Sequence, residues 1–310
     1  MQGDCAPDPS VFPMALIAYS LGFVPGAAEL RDRALDFLLR EMDGSGLCRY
    51  WSRDHSYPHN LPPDLDDTCV ASAVLMRAGR RHPENRPIVL ANRDARGLFF
   101  TWITPRPRWA SGWAYWRIAL PQLLKPRALY FFLRQSASPF DVDAVVNANV
   151  LFYLGDRAET RPVVTWLLTI LREGRERECD KWYESPAAIW YFFSRALSAV
   201  VPDARQLVLD RVAGARPESP LDTALAACSL LAWDEQPSDA AVAELVDAQL
   251  DSGGWPRAGL YAGGRTRRPD GSVAPSASDM LWWGSEALTT GFAVEALARL
   301  DAAWSCRRPH

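Results

Sequence analysis

Asp67-Thr-Cys-Val-Ala-Ser-Ala-Val-Leu75 superposes without gaps on Asp143-Ala-Val-Val-Asn-Ala-Asn-Val-Leu151 and on Asp222-Thr-Ala-Leu-Ala-Ala-Cys-Ser-Leu230. Thr289 to Leu297 follows with Thr in the Asp position, and Ile189 to Leu197 is a degenerate copy. A short unit recurring along a chain marks a repeat architecture, in which each unit needs its neighbours to bury its apolar surface. The clear copies open on Asp or Thr, which suit the first turn of a helix, where free N–H groups and the positive dipole end meet a side-chain oxygen. Small residues then allow close helix packing. A more charged helical segment succeeds several copies, at 160–173, 203–213 and 239–250. Five or six alternations of an apolar helix with an amphipathic one predict an inner and an outer ring. The expected fold is all-α, a single (α/α)5-6 toroid occupying 1–310 as one domain.

Apolar residues at i, i+3, i+4 and i+7 place helices near 11–23, 28–42, 66–79, 118–134, 141–154, 160–173, 186–200, 203–213, 221–233, 239–250 and 285–303. Pro25, Pro139, Pro162, Pro186, Pro202, Pro220 and Pro237 fall at or just before a first helical turn, where proline is tolerated. Pro126 lies inside a window and predicts a kink or two shorter helices. Two regions depart from the pattern and read as insertions. Residues 81–117 hold Leu98-Phe-Phe-Thr-Trp-Ile103, expected as a short hairpin, and 256–282, rich in Gly, Arg, Pro and Ser, reads as a loop over one mouth.

Acidic and basic residues are interleaved and the net charge is only −3, which argues against a nucleic-acid partner. The apolar stretch from Val11 to Val24 is too short to span a bilayer, and Asp4 and Asp8 precede it, so neither a transmembrane segment nor a signal peptide is expected. Contact with a membrane surface stays open. Cys5, Cys48, Cys69, Cys179, Cys228 and Cys306 form no CxxC pair, which fits free thiols and a cytoplasmic setting. The 13 Trp, 12 Phe and 9 Tyr are more aromatic surface than a helical core needs and predict an aromatic-lined cavity.

Asp64-Leu65-Asp66-Asp67-Thr68, at the start of an inner helix, resembles the DxDD(T) motif of class II terpene cyclases, the squalene–hopene cyclases and diphosphate-retaining diterpene cyclases. Gln249-Leu-Asp-Ser-Gly-Gly-Trp255 has the QxxxGxW form repeated through those toroids, with a degenerate copy in Glu41-Met-Asp-Gly-Ser-Gly-Leu47. The toroid resemblance covers the chain, whereas the catalytic one rests on the DxDD segment. It implies that Asp66 is the general acid, flanked by Asp64 and Asp67, and that a linear isoprenoid is cyclised through a carbocation. Farnesyl or geranylgeranyl diphosphate and prenylated aromatics are the substrates implied. The chemistry fits those residue types: protonating a C=C needs a carboxylic acid kept un-ionised in a dry pocket, and closely spaced carboxylates cannot all ionise. Aromatic faces would stabilise the cation. Candidates for contact with substrate are Trp51, Trp113, Tyr183, Trp190, Tyr191, Trp282, Trp283, His59, Asp143 and Arg265, with Tyr50, Trp116 and Phe193 in the same segments.

The chain departs from the family in having one toroid where two are usual, so its own cavity, a second toroid chain or a homodimer would complete the site. No DDxxD motif is present; Mg²⁺ would enter only with a diphosphate substrate. Asp143 and Asp222, at the repeat position of Asp67, read as helix caps, or else they line the same mouth as Asp66, a reading that would permit a cation site. His55 and His59 would reach Asp66, as a histidine does in squalene–hopene cyclases, or belong to a surface loop. Arg265, Arg267 and Arg268 would close over a diphosphate or be a solvated loop, and Arg106, Arg108 and Lys181 are equally open. Three other readings compete: a non-catalytic toroid that binds a partner, a zinc prenyltransferase β-subunit built on Asp67 and Cys69, and a carboxylate-dependent α/α-barrel enzyme acting on sugars.

Overall fold

A computed structural model describes residues 10–55, 61–105, 112–123, 131–132, 137–263 and 282–307. In chain order the helices are α1 (Val11–Ser20), α2 (Ala28–Glu41), α3 (Leu65–Arg77), α4 (Arg86–Ala91), α5 (Trp113–Leu123), α6 (Ala144–Leu154), α7 (Arg161–Glu173), α8 (Pro186–Leu197), α9 (Arg205–Ala213), α10 (Pro220–Leu231), α11 (Asp239–Asp247) and α12 (Glu286–Arg307). Two short strands, β1 (Tyr261–Ala262) and β2 (Trp282–Trp283), pair antiparallel with Tyr261 opposite Trp283.

Burial separates two kinds of helix. In α3, Asp67 through Leu75 are all buried, as are Ala144 through Tyr153 of α6 and Ala187 through Leu197 of α8. A helix buried on every side has protein all round it. By contrast α7 buries only Val163, Leu167, Ile170 and Leu171, one stripe at helical spacing, and α9 only Val208 and Val212. The repeat units are thus the enclosed helices. Among the described residues they pack in a closed cycle, α1 on α3, α3 on α6, α6 on α8, α8 on α10, α10 on α12 and α12 back on α1. Of the one-sided helices, α2 leans on α1 and α3, α7 on α6, and α11 on α10, while α9 touches α7, α8 and α10.

Capping explains where the repeats begin. Ser219 accepts the Asp222 N–H at 3.2 Å as the N-cap of α10, and its hydroxyl donates to Asp222 Oδ2 at 3.0 Å. Ser219→Ala is expected to lower stability by ~1 kcal/mol, read as a shift in urea midpoint; no change would show the cap to be dispensable. Asp143 differs. It stands at the cap position of α6 but makes no side-chain cap bond, and Asp180 Oδ2 accepts the Val145 N–H at 2.8 Å in its place. The capping role expected for Asp143 therefore belongs to Asp180.

The region 81–117 is more structured than a loop insertion, because it contains α4 and the start of α5. The expected hairpin over Leu98–Ile103 is an Arg93–Phe99 bridge closed by the Asp94 turn; beyond it, Trp102 bridges Asp64. Within Gln249–Trp255, Gln249 Nε2 donates to the Gly253 carbonyl at 2.9 Å. The Trp255 indole donates to the Leu245 carbonyl at 2.7 Å and its N–H to Thr290 Oγ1 at 3.0 Å, so the motif ties α11 to α12. Pro126 lies outside the described residues. No described helix is long and apolar enough to cross a membrane.

Candidate active site

The start of α3 is fixed before any catalytic group is considered. The Leu65 N–H donates to the Thr101 carbonyl at 2.9 Å and the Ile103 N–H to the Pro63 carbonyl at 2.8 Å. This holds Asp64 extended (φ −127°, ψ 166°), and its Oδ1 accepts the Asp67 N–H at 2.8 Å as the N-cap. With the cap supplied by Asp64, Asp66 is free for other partners. Its Oδ1 accepts from Asn149 Nδ2 of α6 at 2.5 Å and its Oδ2 from the Tyr183 hydroxyl at 2.8 Å. Arg195 of α8 donates to Asn149 Oδ1. A guanidinium only donates, so this bond sets which way the amide faces and turns Nδ2 toward Asp66.

Asp66 is closely surrounded by protein yet only half-buried, so its side chain keeps accessible surface. Burial pushes its carboxyl up from 3.8 to about 7, helped by the charge of Asp64 and opposed by the bonds from Asn149 and Tyr183 and the charge of Arg195. Asp67 is 1% exposed. Burial, then the charge of Asp64 and a hydrogen bond with it, push Asp67 well above the carboxylate range. As a carboxylate it would leave Oδ1 without a donor; as an acid it donates to Asp64. Crowding of carboxylates is therefore only part of what keeps Asp66 protonated. Enclosure is the larger cause; burial raises Asp64 as well, but the hydrogen bonds from Asp67 oppose that rise, which favours the proton of the pair on Asp67.

Aromatic rings extend from this point. Tyr183 lies 5.2 Å from Phe192, 6.0 Å from Tyr261 and 6.3 Å from Phe12 between ring centroids. The Tyr50 and Tyr261 hydroxyls are 2.9 Å apart, and Trp283 sits 6.0 Å from Tyr50 and 5.6 Å from Trp51. Trp182 donates to Asp143 Oδ2 at 3.2 Å and meets Trp102 at 6.0 Å. Asp143 is buried, also accepts from Thr101 Oγ1 at 2.5 Å, and is raised by burial, as is its neighbour Asp180.

Of the sequence candidates, Asp64, Asp66, Asp67, Tyr183, Trp51 and Trp283 fall into one connected group, and Asp143 borders it. Trp282 shares β2 and packs on Gly259. Others lie apart. Trp190 donates to Glu176 Oε1 at 3.1 Å, beside the Arg211 ion pair, on the opposite side of α8 from Phe192. Tyr191 donates to Glu295 at 3.1 Å and packs on Phe292, and it meets the group only through Phe192, 5.3 Å away. Trp113 is 73% exposed on α5, Trp116 packs against Tyr115, and Phe193 is core. His55 stacks on Trp51 at 4.1 Å, while Lys181 pairs with Asp141 at 2.6 Å. Asp222 sits in the α10 cap. His59, Arg106, Arg108, Arg265, Arg267 and Arg268 lie outside the described residues. Cys48, Cys69, Cys179 and Cys228 are free thiols, and no group of three described His, Cys, Asp or Glu side chains could hold a metal ion. Sequence reasoning missed Asn149 and Arg195. The available signal was a lone arginine inside the apolar run of α8 and an amide inside that of α6.

No protein-family model and no curated protein matches the sequence. Solved structures do. A protein from Actinoplanes superposes with a TM-score of 0.64 at 20% identity, over 94% of this chain and 90% of that one. The type II terpene cyclase MstE from Scytonema gives 0.61 at 16% identity over 94% and 88%, and a variant of it is solved with geranylgeranyl dihydroxybenzoate as substrate. The ent-copalyl diphosphate synthase from Streptomyces platensis gives 0.58 at 20% identity over 93% of this chain but 50% of its own, so this chain spans half of that enzyme. At these identities what is shared is the fold: the chain is built like a class II terpene cyclase.

Proposed function

We propose that this chain is a class II terpene cyclase in which the Asp66 carboxyl protonates the terminal C=C, or epoxide, of a linear isoprenoid. One observation carries the reading: Asp66 is closely surrounded by protein, raised to about 7 by that burial, and still keeps accessible surface where it accepts from Tyr183, whose ring packs on Phe192. The closed cycle of enclosed helices supports reading the chain as a six-repeat toroid, and the neighbouring fold supports the reaction class. The proton leaves Asp66 oxygen for the terminal alkene carbon, giving a tertiary cation. Internal alkenes attack it in turn, each forming one C–C bond. Loss of a proton from the last cation, or addition of water, ends the cascade, and solvent returns a proton to Asp66. The deprotonation route is an isomerisation with no redox change. Tyr183 and Asn149 orient the acid, and Phe12, Phe192 and Tyr261 offer π-faces.

The bound ligand of the MstE variant makes geranylgeranyl dihydroxybenzoate the first substrate to test, beside farnesyl and geranylgeranyl diphosphates and their epoxides, each with and without Mg²⁺. Purified protein and Asp66→Asn are incubated with each, and products are separated by mass and retention. Cyclic products from the parent protein alone support the reading. Products that persist in Asp66→Asn, or none from the parent with any substrate, overturn it; the second result leaves the toroid as a binding subunit.

The reactive form is the acid. Turnover is therefore flat below the Asp66 value of about 7 and falls about tenfold per pH unit above it. A profile of kcat between about pH 5 and pH 9 checks this, and a limb rising through neutrality would remove Asp66 as the acid.

A further inference from the structure

Arg195 is the single charged residue of α8, whose sequence is PAAIWYFFSRAL, and it is 5% exposed. Its guanidinium carbon lies 4.3 Å from the Phe152 ring centroid, 5.1 Å from Tyr19, 5.1 Å from Phe192 and 5.4 Å from Tyr191. Among the described residues no carboxylate pairs with it. The nearby buried acid, Glu295, is occupied by Ser20 at 2.8 Å, Tyr191 at 3.1 Å and Arg299 at 3.0 Å. Among the described residues Arg195 Nε and Nη1 have no hydrogen-bond partner, and Nη2 donates to Asn149 Oδ1. A buried cation without a counter-ion is costly unless something nearby becomes negative. The one group reached through that amide is Asp66.

We infer that Arg195 is a positioning residue that acts through Asn149 to hold the Asp66 acid and to serve as counter-charge for the carboxylate left when the proton departs. The inference rests on reading Asp66 as the acid. Before transfer Asp66 is neutral and gains little from the cation. After transfer a full charge appears on an oxygen that Asn149 already contacts. A cation on the amide oxygen polarises the amide N–H and strengthens its bond to that charge. The interaction is thus stronger late in the reaction than early, which is the condition for lowering the barrier rather than tightening binding. The aromatic cage gives the guanidinium its favourable surroundings in the meantime.

Other ionisable groups also face Asp66 and must be held constant. Asp64, Asp67 and Cys69 lie on its own helix or cap. Asp180 and Tyr183 come from the segment before α8, and Tyr261 from β1. None is altered by substitutions at Arg195 or Asn149.

The test reads the acid itself as well as turnover. Ligand-free protein labelled with ¹³C at aspartate carboxyls is titrated by NMR, with Asp66 assigned by the signal lost in Asp66→Asn. In Arg195→Met, whose side chain fills the ring cage without charge, the Asp66 midpoint is expected to move up by about one pH unit. The acid-plateau kcat falls about tenfold or more, with KM within about twofold. Asn149→Leu does the same, and adding Arg195→Met to it changes little further. Arg195→Gln keeps a donor to Asn149 but not the charge, gives the same upward move, and carries the test if the Met variant does not fold. An unchanged midpoint, or one that moves down toward ordinary carboxyl values as water enters, overturns the proposal. Should the midpoint rise while the parent protein cyclises no isoprenoid, the relay stands and the cyclase reading falls.

Discussion

On the proposed reading, Asp66→Asn is expected to abolish cyclisation, with turnover lower by about 10⁴-fold, near the upper end of what positioned general acids supply. The substitution is close to isosteric. The new amide oxygen accepts from Asn149, and the Tyr183 hydroxyl, which can donate or accept, turns to accept from the new amide nitrogen. What is lost is the transferable proton, and no second acid can replace it: Asp67 is sealed in the helix packing and bonded to Asp64. The same variant has a signature in stability. A carboxyl raised from 3.8 to about 7 on folding binds its proton more tightly in the native state, so native stability falls as pH rises through that window. Above it the penalty is at most about 4 kcal/mol, at 1.36 kcal/mol per unit. Asn carries no such penalty. Asp66→Asn is therefore more stable than the parent at pH 8 and little different at pH 4. Urea unfolding at the two values decides it; an equal difference at both would mean that Asp66 is an ordinary ionised carboxylate.

Asp64→Ala is expected to be far more damaging to the fold than Asp67→Asn. Alanine at 64 removes the N-cap of α3, ~1 kcal/mol, and strands the buried Asp67 acid without its acceptor, a further ~1–3 kcal/mol. Asparagine at 67 replaces one neutral side chain by another, with a donor for Asp64 and an acceptor for the Phe12 N–H, so stability changes by less than about 1 kcal/mol. Thermal and urea unfolding of the two variants compare them directly. If Asp67→Asn were the more destabilising, Asp67 would be the charged member of the pair, and the proton inventory at this helix start would have to be reversed.

Much of the architecture was readable because its causes are local. Runs of small and apolar residues such as Asp143 to Leu151 have no polar face, so they had to lie inside, while the stripe of Val163, Leu167, Ile170 and Leu171 had to lie against something. The acidic triplet was readable for the same reason, since one Asp suffices for a cap. The partners of Asp66 were harder to read, because Asn149 and Tyr183 are distant in sequence and meet it only when the helices close up. Trp190 was placed with the aromatic wall on the strength of its helix alone. At about 100° per residue it stands about 200° from Phe192, which turns it toward Glu176 and Arg211. Asp143 misled because it stands at the N-cap of α6 as Asp64 does at that of α3, whereas its carboxylate is taken by Thr101 and Trp182, both distant in sequence.

A ring has no strength until its last link is seated. Here that link is α12, which packs on both α10 and α1, and Glu295 within it receives the hydroxyls of Ser20 and Tyr191 from two other members. Without α12 the cycle of packed helices would be open between α10 and α1, and a carboxyl at position 66 reached by water would ionise like any surface aspartate. The raised carboxyl at position 66 is thus a property of the packed helices taken together rather than of α3 alone.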